Sequence, residues 1–123
     1  MESNVTFIAD DAQKSQYFTG PLNLNRKTKQ ADTVMGTKLP LVENEFEALD
    51  LLAAREDVTL TFEQLYTAVW DEGDGTDNRD AAHVGLDNLI YQVNSAGEGF
   101  MWIEHKPETG YVFRTRWGHN WKA

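Results

Sequence analysis

The chain has 123 residues, 41% of them apolar, with four Trp, six Phe and four Tyr, which suits one packed domain and leaves no room for two. It has no cysteine and a net charge of −9 at pH 7, which excludes disulfides, Cys-ligated zinc and thiol chemistry and sets a repulsive field against phosphate backbones. No apolar run approaches the roughly 18 residues of a membrane span. The opening MESNVTFIADDAQKS lacks the basic start and long apolar stretch of a signal peptide, so the sequence reads as cytoplasmic.

In chain order, NVTFIA (4–9) has strand composition and is broken by DDAQKS. YFTGPLNLNRKTKQ follows, with Leu22 and Leu24 in alternation before a basic, polar turn. TVMGTKLPL then predicts a hairpin of two short strands around a glycine turn. From Val42 to Glu56, Phe46, Leu49, Leu52 and Ala53 recur at helical spacing, which predicts a first helix. Thr61 followed three residues later by Gln64 predicts a capping box opening a second helix, with Leu65, Ala68 and Val69 inward. After the acidic loop Asp71–Asp80, a third helix is expected from about Arg79 to Asn94, burying Ala82, Leu86, Leu89 and Val93. SAGEG stops it, and FMWIEHKPETGYVFRTRW reads as a terminal hairpin around KPETG. The fold class is therefore α+β: an antiparallel sheet, three helices and a hairpin. We divide the chain into an N-terminal extension (1–16), the folded domain (17–116) and a C-terminal tail (117–123).

Charge is unevenly spread. Glu43 to Asp87 holds thirteen acids and two bases, a net of −11, whereas the rest of the chain sums to +2. Such a surface favours basic or apolar partners, although acidic surfaces also serve plain solubility.

Several segments resemble the winged-helix effector domain of OmpR/PhoB-type response regulators. LPLVENEFEALDLLA (39–53) is similar to the family's first helix, with Glu45-Phe46 and the Leu49/Leu52 spacing. LTFEQLYTAVW (60–70) carries Thr61, Glu63-Gln64-Leu65 and Val69-Trp70 as the family has them. IEHKPETGYVF (103–113) resembles the wing strand through Ile103-Glu104 and Gly110-Tyr111, and Tyr17–Leu41 has the spacing of the N-terminal sheet. The resemblance implies a winged helix-turn-helix that binds double-stranded DNA as a transcription regulator, its third helix in the major groove and its wing toward the minor groove. Family members usually also carry a phosphorylatable receiver domain; none fits in these residues, so the resemblance implies either a stand-alone regulator or an excised effector half. The resemblance further implies that the 71–80 loop region can contact RNA polymerase.

Two features depart from the family pattern. The stretch Asp87-Asn88-Leu89-Ile90-Tyr91-Gln92 has no base where the family has several, and Pro107-Glu108 replaces the wing's common Arg-Gly. Cations neutralise phosphates and amides read base edges, so the DNA-binding candidates are Arg79, His83, Asn88 and Gln92 on the third helix and Lys106, Arg114 and Arg116 around the wing. For Arg79 the alternative is a salt bridge to a neighbouring acid. Arg26, Lys27 and Lys29 are assigned to a solvated sheet turn, and Trp70 and Trp102 to the core.

The competing reading is a winged helix adapted to protein binding or dimerisation through Val84, Tyr91, Trp117 and Trp121. It rests on an outward face that holds Asp80, Val84, Asp87, Asn88, Tyr91 and Ser95. Catalysis is not expected. His83, His105 and His119 have no metal-ligand spacing, no glycine-rich phosphate loop opens a helix, and the 71–80 loop fits no register of a calcium-binding EF-hand. No cofactor or metal is expected.

Overall fold

The computed structural model describes residues 15–96 and 101–114. Strands β1 (Gln16–Thr19), β2 (Leu22–Asn25) and β3 (Gln30–Thr33) form an antiparallel meander, with Leu24 opposite Tyr17 on one side and Ala31 on the other. The period of two sends Tyr17, Leu22, Leu24 and Ala31 to the buried face. The hairpin expected from TVMGTKLPL is displaced. Its first strand is the earlier Gln30–Thr33, Val34 and Met35 project into solvent, and only a single bridge from Asp32 to Lys38 follows the turn. The strand expected at 4–9 lies outside the described residues.

Helix α1 (Glu43–Ala54) buries Phe46, Leu49, Leu52 and Ala53 as their spacing requires. Two ion pairs fasten it to the β2–β3 turn. Arg26 Nε and Nη2 donate to the Asp50 carboxylate at 2.9 Å each, the guanidinium lies 4.5 Å from the Tyr17 ring centre, and the Tyr17 hydroxyl donates to the same carboxylate. Lys29 Nζ reaches Glu47 Oε2 at 3.0 Å. Arg26 and Lys29 therefore hold sheet to helix, which corrects their assignment to a solvated turn, and part of the acidic excess of α1 is neutralised there.

Helix α2 (Phe62–Leu65) opens on the expected capping box: Gln64 N donates to Thr61 Oγ1 at 3.0 Å and Thr61 N donates to Gln64 Oε1 at 2.8 Å. It continues as a π-helical turn over Tyr66–Trp70, closed by Asp71 N donating to the Tyr66 carbonyl at 2.9 Å. The wider turn shifts the inward face: Trp70 is buried, as its core assignment expects, and Tyr66 is buried with it, whereas Ala68 is exposed, contrary to the 3.6-residue expectation. Helix α3 (Arg79–Ala96) buries Ala82, Leu86, Leu89 and Val93 as expected. Strands β4 (Ile103–Lys106) and β5 (Gly110–Phe113) form the terminal hairpin. Leu60 and Tyr111 exchange backbone hydrogen bonds of 2.8 Å in both directions, which ties the α1–α2 connection to β5. Gly110, at φ 149, makes this approach possible, because a Cβ there would stand 2.2 Å from the Leu60 carbonyl oxygen. Among the described residues no helix is long and apolar enough to cross a membrane.

Candidate nucleic-acid interface

Asn94 ties α3 to the hairpin. Asn94 Nδ2 donates to the Ile103 carbonyl at 3.0 Å, and Ile103 N donates to Asn94 Oδ1 at 2.9 Å, so one side chain substitutes for a strand partner at the start of β4. The Tyr111 ring stacks on His105 at 4.3 Å. Burial, followed by the negative charge of Asp87 on α3, raises the Tyr111 phenol above its usual range. Helix and hairpin are thus joined by side-chain hydrogen bonds.

Among the described residues, each candidate cation or amide meets an intramolecular partner, with one exception. Arg79 Nη2 donates to Glu63 Oε1 at 3.1 Å, its Nη1 lies 3.7 Å from Asp77 Oδ1, and its guanidinium covers the Tyr66 ring at 4.6 Å. The hydrogen bond to Glu63, then its charge, raises the Arg79 pKa further. His83 lies flat on Phe62, ring centres 4.0 Å apart. Asn88 Nδ2 donates to Glu45 Oε1 at 2.9 Å, and Gln92 Nε2 donates to Asn88 Oδ1 at 3.3 Å. Because a carboxylate only accepts, Glu45 fixes which end of Asn88 faces it, and Asn88 in turn orients Gln92. Both amides are half-buried toward α1 and do not stand on the outward crest. Arg114 Nε donates to Glu104 Oε1 at 2.9 Å across the hairpin. Lys106, at the hairpin turn, is in no ion pair among the described residues. Val84 and Tyr91 are 68% and 67% exposed on α3. Arg116, Trp117 and Trp121 lie outside the described residues.

The acidic loop between α2 and α3 is built from its own carboxylates. Asp71, Asp74 and Asp77 each accept a backbone N–H from two residues further on, at 3.0, 2.9 and 3.0 Å. The Thr76 backbone amide, then its hydroxyl, holds Asp74 below the usual carboxylate range. Asn78 closes the loop: its backbone N–H donates to the Tyr66 hydroxyl at 3.1 Å and its Nδ2 to the Trp70 carbonyl at 2.8 Å.

No protein-family model and no curated protein matches the chain. Solved structures do match. The DNA binding domain of CpxR from E. coli aligns with a TM-score of 0.66 at 23% identity, over 84% of this chain and 100% of that one. Response regulator DrrB, a Thermotoga maritima OmpR/PhoB homolog, aligns with a TM-score of 0.65 at 21% identity, over 82% of this chain and 45% of that longer one. The DNA binding domain of E. coli CadC aligns with a TM-score of 0.68 at 18% identity, over 85% and 95%. The chain is a winged helix. In that frame α3 is the third helix and β4–β5 is the wing.

Four residues essential to this surface were not singled out from the sequence as its partners: Glu45, Glu63, Glu104 and Asn94. Glu45 and Glu63 become partners when distant elements pack together, and Glu104 and Asn94 when neighbouring elements do. The salt-bridge alternative for Arg79 is the arrangement found, with Glu63 and Asp77 as the acids.

Proposed function

We propose that this winged helix is the DNA-binding domain of a transcription regulator. The observation that carries the reading is the fixed coupling of α3 to the wing through Asn94 and Ile103, in a fold shared with domains named for DNA binding. A duplex contact needs the helix and the hairpin to meet the backbone as one body. Lys106 is the wing cation ready for phosphate, and Arg79 and Arg114 become available when a phosphate replaces Glu63 or Glu104. His83, Asn88 and Gln92 complete the described part of the proposed footprint, with Arg116 beyond it. On this reading the domain acts by binding, not catalysis, and works in the cytoplasm.

Such a surface has few free cations, so binding is expected to be weak, with a salt slope set by the few phosphates they neutralise. Fluorescence anisotropy on random and genomic duplexes at low and moderate salt tests it. Binding should weaken as salt is added, and Lys106→Ala should lower the slope of log affinity against log salt by about one. No binding to any duplex at low salt would overturn the reading.

A further inference from the structure

A groove of about 530 Å³ opens between the start of α1, the acidic loop and α3. Trp70, Gly85 and Glu45 are its buried lining, while Val42 and Val84 stand 63% and 68% exposed beside it. Glu72 and Asp80 supply exposed carboxylates, and no Lys or Arg is among the described residues that line it. A slot with Trp70, Val42 and Val84 as its apolar part and Glu45, Glu72 and Asp80 as acids fits a segment with an apolar tip and a nearby cation.

The chain carries such a segment in the turn after β3. Met35 is 87% exposed and Val34 58%. Lys38, three residues beyond Met35, is exposed and in no ion pair among the described residues. The turn is held in shape: Gly36 N donates to the Thr33 carbonyl at 2.8 Å, Thr33 N to the Thr37 carbonyl at 2.7 Å, and Thr37 N to Thr33 Oγ1 at 3.0 Å. A preformed turn loses little entropy on docking.

We propose that the 34–38 turn of a second copy docks in this groove, with Met35 between Val42 and Val84 over Trp70 and Lys38 against the Glu72 and Asp80 carboxylates. The contact is small and therefore weak, in the class of interfaces under about 1,200 Å². It matters where copies are held close together, because a high local concentration populates weak contacts. The proposal does not depend on the DNA-binding reading.

Sedimentation velocity of the full chain from about 10 μM to about 1 mM tests it, a range chosen to reach weak affinities. The average sedimentation coefficient should rise with concentration, and added salt should suppress the rise. Met35→Asp, Lys38→Glu and Asp80→Lys should each abolish it, with unchanged circular dichroism because all three positions are exposed. An equimolar mixture of Lys38→Glu and Asp80→Lys should recover association, since the first variant keeps an intact groove and the second an intact turn. A wild-type monomer at about 1 mM, association that survives the three substitutions, or a mixture that stays monomeric would each overturn the proposal.

Discussion

Arg79 and Glu63 face each other across the junction of α2 and α3, with Nη2 donating to Oε1 at 3.1 Å and the guanidinium resting on the Tyr66 ring. Arg79 is the one Lys or Arg of α3, so this pair occupies the only full positive charge the helix can offer a duplex.

Replacing Glu63 by Gln therefore removes an acid from the interface and releases the cation. Duplex affinity at low salt should increase by roughly 3- to 10-fold, and the salt slope should steepen. The thermal midpoint should barely move, because exposed ion pairs contribute little to stability. Anisotropy titrations of the two proteins on one duplex check this, and equal affinities would show that Arg79 does not touch DNA.

Gly85 lets α3 lie against Trp70. A Cβ there would stand 2.8 Å from Trp70 Cζ2 and 3.5 Å from Glu45 Cγ. Gly85→Ala gains about 1 kcal/mol of helix propensity, while overpacking of this kind costs about 1–3 kcal/mol. The clash is expected to prevail, because the indole is pinned between α3 and the π-helical turn. Urea unfolding should show a net loss of about 1 kcal/mol, with Trp70 emission shifted to the red. A more stable variant would mean that the indole moves aside freely.

The helices were legible because they depend on local spacing. Ala82, Leu86, Leu89 and Val93 are one face of α3 whether the helix is read from letters or from coordinates, and Thr61 with Gln64 closes its capping box within four residues. The inward face of the second helix was misread at Ala68, since nothing local in YTAVW announces a π-helical turn. Outward position also failed as a guide to availability. Arg79 meets its acid 16 residues away, Lys29 18 away, Arg26 24 away and Asn88 43 away. No periodicity encodes such pairings. They arise when the sheet packs on α1, α1 packs on α3 and α2 meets α3.

The same geometry makes Asn88 sensitive to charge. Its Nδ2 donates to the Glu45 carboxylate, which is 8% exposed, so Asn88→Asp would set two carboxylates about 3 Å apart in a shielded site. At pH 7 the variant should lose about 2–4 kcal/mol. Repulsion raises the shared folded-state pKa above the unfolded values. The deficit should therefore be full at pH 7 and shrink as pH falls toward 4, where one proton is shared. Urea midpoints at pH 7 and pH 4 check this. A deficit independent of pH would indicate lost packing and not charge.

Tyr17 gives the fold a limit at alkaline pH. Burial, then its hydrogen bond to Asp50, raises the phenol well above its ordinary 10.0, and burial with Asp87 raises Tyr111 in the same direction. Below pH about 10 both tyrosines keep their protons whether folded or unfolded, so neither makes stability depend on pH. Above that value the unfolded phenols ionise while the folded ones stay neutral. Unfolding then releases protons, and stability falls as pH rises. Urea midpoints between pH 8 and pH 11 should therefore decline. Tyr17→Phe should start lower at pH 8, having lost the bond to Asp50, and decline less, so that the two curves converge. Parallel curves would mean that Tyr17 ionises as readily in the folded chain as in the unfolded one, and that its bond to Asp50 does not hold the proton.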